Sequence, residues 1–69
     1  MFYGTIRSFN ANTGYGFIIS DEIEGDVYAH ITDVTGSNVC RLIQNQSVSF
    51  DLAYDEKHRR CAKNIRIIK

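Results

Sequence analysis

The fold of this chain is decided by two short stretches of sequence, Gly14-Tyr15-Gly16-Phe17-Ile18 and Asp26-Val27-Tyr28-Ala29-His30-Ile31. Both stretches have the alternation of a β-strand, in which every second side chain points to the same face of the sheet. The first stretch therefore presents Tyr15 and Phe17 together, and the second presents Tyr28 and His30 together. Two neighbouring strands of this kind would carry four rings on one face.

The faces opposite the rings carry small and aliphatic side chains and make the better core. These side chains are Gly16, Ile18, Val27, Ala29 and Ile31. Tyrosine and histidine have polar tips that need hydrogen-bond partners when buried, so we expect the rings to lie outside. A group of exposed rings is uncommon on a protein surface, and nucleic-acid bases stack readily on such a group. The pattern predicts a platform for single-stranded nucleic acid.

The length of 69 residues allows one domain with a thin core, so we expect a single domain over residues 1–69. No apolar run is long enough to span a membrane, and no basic-then-apolar leader stands at the start. We therefore expect a cytoplasmic protein that does not bind membranes.

Charge is balanced in total but uneven along the chain. Eight Lys and Arg residues stand against eight Asp and Glu residues, which argues against strong, non-specific binding of duplex DNA. Acidic residues gather at positions 21–26, whereas the segment after residue 56 is rich in Lys and Arg. Such a run is usually a solvated face, and it gains a function only where it borders a binding surface.

The cysteines and histidines do not form a recognisable metal or catalytic set. Cys40 and Cys61 lack the short paired spacing of a zinc site, and His30 and His58 do not complete one. We expect two reduced thiols without a catalytic role, with Cys61 packed in a strand, and we expect neither a metal nor a cofactor.

Five extended segments are separated by turn-forming residues, and no helical period lasts more than a turn or two. The expected strands cover residues 2–9, 15–20, 27–31, 47–54 and 61–68, with a charged loop at 21–25 and one helical turn at 32–34. Five short strands hide both sheet edges only by closing into a barrel. We predict an all-β, five-stranded antiparallel OB-type barrel whose interior holds Ile6, Ile18, Val27, Ala29, Val48, Phe50, Leu52 and Ile65.

Residues 12–18 and 26–31 resemble the two ribonucleoprotein motifs of the bacterial cold shock proteins and of the cold-shock domain in general. The first reads Asn-Thr-Gly-Tyr-Gly-Phe-Ile where the family usually has Lys-Gly-Phe-Gly-Phe-Ile. The second reads Asp-Val-Tyr-Ala-His-Ile where the family usually has Asp-Val-Phe-Val-His-Phe. Similar residues recur at 9–10, 46–50 and 62–65. The resemblance implies a protein that binds single-stranded RNA or DNA, as an RNA chaperone or a regulator of gene expression.

The resemblance also implies which residues bind. Carried over position by position, the binding face consists of Arg7, Phe9, Tyr15, Phe17, Tyr28, His30 and Ile31. The carboxylate of Asp26 is expected to accept a hydrogen bond from a base. Rings of this kind stack on bases of any identity, and a neighbouring cation meets the phosphates.

Three positions depart from the family pattern. Ser8 replaces a Trp, Thr13 replaces a Lys, and Val39 lies in a loop where many members carry a further aromatic residue. One stacking surface and one phosphate contact are therefore missing, which predicts weaker binding. The basic loop before the fifth strand can compensate, because this loop lies near the ring face in a closed barrel. We therefore add its cations Arg59 and Arg60, which stand beside Lys57 and His58, to the predicted binding residues.

Two other functions compete with nucleic-acid binding. An enzyme could draw on His30, Ser8 and Asp26, but no glycine elbow, metal set or pocket-forming insert supports a catalytic site, so we do not expect an enzyme. An interaction module could keep the barrel and its rings while its nucleic-acid binding is weak or lost. The chain is expected to be a monomer, although an exposed strand edge also permits a dimer.

Overall fold

A computed structural model of the protein describes residues 1–35 and 42–68. These residues form β1 (Phe2–Asn10), β2 (Tyr15–Ser20), β3 (Ile23–His30), a short 3-10 turn (Ile31–Asp33), β4 (Ser47–Tyr54) and β5 (Arg60–Ile67). The predicted all-β class and its five strands are confirmed. The expectations for Val39, Cys40 and the start of the long connection at residue 36 fall outside the described residues.

The five strands close into a barrel in the order β1-β2-β3-β5-β4. Four of the neighbouring pairs run antiparallel, and the contact of β3 with β5, at Tyr28 and Cys61, runs parallel. A closed ring of an odd number of strands cannot alternate direction throughout, so at least one pair must be parallel. The predicted OB-type barrel is confirmed, with this parallel pair in place of a wholly antiparallel ring.

The third strand begins earlier than predicted. It starts at Ile23, which pairs with Ser20, so most of the expected loop at 21–25 belongs to the β2–β3 hairpin. The register of this hairpin shifts between Ile18 and Ser20, and Gly25 has a φ of +84°, which a glycine adopts without steric cost. The acidic side chains did not end the strand, because Glu24 and Asp26 point to solvent.

The core fills the barrel with aliphatic side chains around one phenylalanine. The buried apolar side chains of the described residues are Ile6, Ile18, Val27, Ala29, Leu42, Val48, Phe50, Ala62 and Ile65. The prediction for Leu52 is wrong, because this residue is only partly buried and packs against the edge of the core. The pairing of β4 with β5 slips between Ser49 and Asp51, and burial does not alternate there, since Val48, Ser49 and Phe50 are all buried. Cys61 is a half-buried free thiol in β5.

Within the described ranges 1–35 and 42–68, we find no helix with the length and apolar character of a membrane span.

Candidate nucleic-acid interface

Strand register brings the four predicted rings together on the outside of the barrel. Phe17 of β2 stands opposite Tyr28 of β3, and Tyr15 stands opposite His30. Side chains of directly paired residues lie on the same face. The ring centres of Phe17 and Tyr28 are 5.0 Å apart, those of Tyr15 and Tyr28 are 5.5 Å apart, and those of Tyr15 and His30 are 4.4 Å apart. We call this group of four rings the aromatic face.

A glycine between the two rings of β2 lets this strand lie close against β1. A Cβ atom built on Gly16 would stand 2.5 Å from the carbonyl oxygen of Ser8 and 3.2 Å from the Cα of Phe9. No larger side chain fits that gap without moving the backbone of β1. The paired residues Tyr28 and Phe17 form a row across the sheet, and this row continues into β1, where the exposed Ser8 stands opposite Phe17.

The turn before β2 supports one end of the aromatic face. The N–H of Gly14 donates to the carbonyl of Asn10, and the N–H of Ile31 donates to the carbonyl of Gly14. His30 is oriented by Thr32, whose backbone N–H donates to the imidazole Nδ1 at 3.2 Å and whose hydroxyl oxygen lies 2.7 Å from it. The ring of His30 is thereby fixed beside that of Tyr15.

Two of the predicted binding residues form an ion pair with each other. The guanidinium of Arg7 donates to the carboxylate of Asp26 at 2.8 Å, across β1 and β3. Arg7 sits where the register of β1 slips between Ile6 and Ser8. Both side chains are exposed, and an exposed ion pair adds little to stability. Arg7 can therefore exchange its partner for a phosphate, and Asp26 can exchange its partner for a base, at a low cost in free energy.

The loop between β4 and β5 is held by Asp55. Its carboxylate accepts hydrogen bonds from the backbone N–H groups of Lys57 and Arg59, at 2.9 and 2.8 Å, and from Nε–H of Arg59 at 2.7 Å. The backbone donor of Arg59 is the largest reason that the pKa of Asp55 lies below its usual 3.8. The side-chain hydrogen bond to Asp55 raises the pKa of the Arg59 guanidinium. Asp55 therefore stays ionised and keeps the side chain of Arg59 in one place.

Arg59 and Arg60 reach the aromatic face in different ways. The guanidinium carbon of Arg59 lies 4.8 Å from the centre of the Tyr28 ring, within the range of a cation–π contact. The side chain of Arg60 extends along β3, where a Cβ on Gly25 would stand 2.8 Å from one of its guanidinium nitrogens. Lys57 and His58 are exposed in the same loop.

Phe9 and Ile31 occupy the margin of the site. Both are half-buried and pack against the core, and a Cβ on Gly14 would meet the Ile31 side chain at 3.2 Å. The structure thus groups Tyr15, Phe17, Tyr28 and His30 with Arg7, Asp26, Arg59 and Arg60, while Phe9 and Ile31 lie between this group and the core.

Sequence reasoning missed two residues that border the aromatic face. Tyr54 is exposed at the end of β4, and Lys63 of β5 forms an ion pair with Asp33 at 3.2 Å. Tyr54 continues the alternation of Val48, Phe50 and Leu52, which would place it in the core. It is exposed instead, at the last position of β4, where it pairs with Arg60, so only its position next to the basic loop could have indicated a surface role.

No group of three or more His, Cys, Asp or Glu side chains in residues 1–35 and 42–68 is arranged to hold a metal ion.

Comparisons with known proteins agree on one family. The family model described as the 'Cold-shock' DNA-binding domain matches residues 2–68. The "Cold shock-like protein" of Aquifex aeolicus is 39% identical over 67 residues, which are 97% of this chain and 94% of that protein. The "Probable cold shock protein A" of Mycobacterium tuberculosis is 37% identical over 54 residues, which are 78% of this chain and 81% of that protein.

A solved structure has the same fold. The "drosophila Unr CSD456" structure superposes with a TM-score of 0.81 at 26% identity. The superposition covers 99% of this chain and 26% of that longer chain.

Proposed function

We propose that this chain, which belongs to the cold-shock domain family, binds single-stranded RNA or DNA by stacking bases on the aromatic face. Membership confirms the resemblance that the two motifs indicated, and nucleic-acid binding is general in this family. The observation that carries the proposal is the contact of Tyr15, Phe17, Tyr28 and His30 on one outer face, with ring centres 4.4 to 5.5 Å apart.

Base stacking supplies most of the expected affinity. Stacking of a base on an aromatic side chain is worth about 1–3 kcal/mol and depends little on base identity. Phe17 and Tyr28 are nearly parallel, at 18°, and form the flattest part of the aromatic face. Tyr15 and His30 extend the row toward the turn at residues 10–14.

The charged side chains around the rings suit the backbone of a single strand. Arg7, Arg59 and Arg60 stand at the rim of the aromatic face, and phosphates are the ligands that such cations meet. Asp26 supplies a carboxylate beside Phe17 and Tyr28 that can accept a hydrogen bond from a base. Because the net charge is zero, we propose moderate, salt-sensitive binding of single strands and little binding of duplex.

Such binding suits a protein that acts on many transcripts. We propose that this monomeric, single-domain chain works in the cytoplasm as an RNA chaperone or a regulator of gene expression, because stacking depends little on base identity and so selects unpaired RNA more than it selects particular sequences.

The experiment is a titration of a fluorescently labelled oligothymidylate at low salt, read by anisotropy. We expect Phe17→Ala and Tyr28→Ala to weaken binding about tenfold or more with a nearly unchanged melting temperature, because these half-buried rings lie on the outer face, outside the core cluster, and contribute more to the ligand than to the core. Tyr3→Ala is the matched control, since Tyr3 is an exposed tyrosine on β1 that lies outside the aromatic face.

An unaffected affinity in both ring variants would refute the aromatic face as the binding surface. Absence of any single-strand binding by the unaltered protein would refute nucleic-acid binding itself. The rings of the aromatic face and the acidic β2–β3 hairpin would then be better explained as a surface for a protein partner.

A further inference from the structure

An open cleft of about 410 Å³ lies between the aromatic face and the β4–β5 loop. One wall is formed by Phe17, Asp26 and Tyr28, and the other by Tyr54, His58 and Arg60, with Arg59 between them. Its size is within the range of about 300–1,000 Å³ that is common for small-molecule sites. Arg59 and Arg60 were already among the predicted binding residues, but the sequence assigned no function to Tyr54.

Tyr54 is a large ring that the core does not explain. Its side chain is 63% exposed, and it borders both this cleft and a second one that extends toward Tyr15 and Lys63. Arg59 borders both clefts as well, so Tyr54 and Arg59 stand together beside the aromatic face. Tyr3 is similarly exposed, at 56%, but borders neither cleft.

The charges of the cleft favour a phosphate near Arg60. Three cations close to the aromatic face already have carboxylate partners: Arg7 pairs with Asp26, Arg59 with Asp55, and Lys63 with Asp33. Among the residues that the structure describes, Arg60 has no carboxylate within ion-pair distance. A guanidinium in this state is a ready donor to the oxygens of a phosphate.

We propose that this cleft binds one further base of the same single strand, stacked on Tyr54, with the adjoining phosphate on Arg60. The inference rests on the proposed function and extends its binding site by one nucleotide, beyond Phe17 and Tyr28 to the β4–β5 loop. Ser8 provides no stacking surface on one side of Phe17 and Tyr28. The ring at position 54 provides a stacking surface on the opposite side of this pair. The pairing order supports this, because Ser8 lies on β1 at one end of the row and Cys61, next to Arg60, lies on β5 at the other.

The test is a series of oligothymidylates lengthened one nucleotide at a time, titrated against the unaltered protein, Tyr54→Ala, Tyr54→Phe and Tyr3→Ala. Affinity should rise with length until every base site is filled. For the Tyr54→Ala variant, we expect the affinity to stop rising at a length one nucleotide shorter than for the unaltered protein. This variant should also bind the longer oligonucleotides about tenfold more weakly than the unaltered protein does. Tyr54→Phe should retain the normal length dependence, because it keeps the ring.

A direct reading comes from the ring protons of Tyr54 in NMR spectra. Their resonances should shift upfield when an oligonucleotide of full length is added and should stay in place when the oligonucleotide is one base too short. The resonances of Tyr3 should not move in either case.

The outcomes separate this inference from the proposed function. One outcome is that Phe17→Ala weakens binding, whereas the affinity of Tyr54→Ala depends on oligonucleotide length as that of the control Tyr3→Ala does. In that case the cleft does not bind a base, and the aromatic face alone is the site. If the unaltered protein binds no oligonucleotide of any length, the proposed function and this inference both fail.

Discussion

The guanidinium carbon of Arg59 lies 4.8 Å from the centre of the Tyr28 ring, and Asp55 holds the same guanidinium through a 2.7 Å hydrogen bond. A loop cation is thereby fixed against the Tyr28 ring of the aromatic face before any ligand arrives. A base that stacks on Tyr28 must share or replace this contact. If the aromatic face binds bases as proposed, the β4–β5 loop takes part in that binding, and changes in it should alter binding without altering the barrel.

Neutralisation of Arg59 and Arg60 together should weaken single-strand binding and reduce its dependence on salt. Fewer counterions are released on binding when fewer phosphates are contacted. For a single strand, the loss of each contact therefore makes the negative slope of log affinity against log salt less steep by about 0.7. Titrations of the Arg59→Ala, Arg60→Ala double variant at several salt concentrations measure this slope.

Arg66→Ala is the control for that slope. Arg66 is an exposed cation on β5, five residues beyond Cys61, the strand partner of Tyr28. Its removal should leave the slope nearly unchanged. An equal loss of slope in both variants would mean that overall charge, and not the loop, determines the salt dependence.

Restoration of a ring at position 8 should tighten binding. Ser8 is exposed on β1 and stands opposite Phe17, so the Ser8→Trp side chain would extend the row of rings by one. One additional stacking surface should contribute about 1–3 kcal/mol. Anisotropy titration measures the gain, and Tyr3→Trp, which adds an indole elsewhere on β1, serves as the control. An equal affinity for Ser8→Trp and the unaltered protein would contradict the expected path of the strand.

Truncation of Phe50 should unfold the barrel. Phe50 is fully buried in β4, and its ring centre lies 6.0 Å from that of Phe2 in a stacked pair. Phe50→Ala removes most of a large buried side chain, which costs about 3–5 kcal/mol, a large share of the stability of so small a domain. Denaturant unfolding followed by circular dichroism measures the free energy of unfolding. Tyr3→Ala should change it by less than about 0.5 kcal/mol, and comparable losses in the two variants would place Phe50 outside the core.

Acid should release the β4–β5 loop. The pKa of Asp55 is lowered, first by the backbone N–H of Arg59 and also by its guanidinium, so the carboxylate remains ionised in the folded protein below the usual value of 3.8. The stabilisation that Asp55 supplies is therefore complete above its unfolded pKa and is lost as the pH falls through the lowered folded pKa.

NMR follows this release directly. The carboxyl carbon of Asp55 should titrate with a midpoint below 3.8, and the Nε proton of Arg59 should lose its protection from exchange over the same pH range. Asp55→Asn should abolish the protection at every pH, whereas Glu56→Gln, a charge change in the same loop, should preserve it. A midpoint for Asp55 at or above 3.8 would contradict the contact.

The sequence alone determined the strands and the rings, because these follow from short-range alternation. It also predicted the closure, because five short strands hide both sheet edges only in a barrel. The small and aliphatic residues between the rings assigned two pairs to the outer face, Tyr15 with Phe17 and Tyr28 with His30. The structure confirms that assignment, because these intervening residues are buried: Gly16, Ile18, Val27 and Ala29. The same alternation was wrong about Leu52 and gave no role to Tyr54, because the pairing of β4 with β5 slips after Ser49 and the burial pattern does not continue past that shift.

Only the tertiary structure decided which charges meet the rings. Arg7 and Asp26 are 19 residues apart and belong to strands that never pair with each other. Arg59 reaches Tyr28 because β5 runs beside β3, a parallel contact that no local pattern announces. Long-range contacts of this kind depend on closure of the whole barrel and on small register shifts, such as the one beside Arg7. Alternation along a single strand carries no information about either.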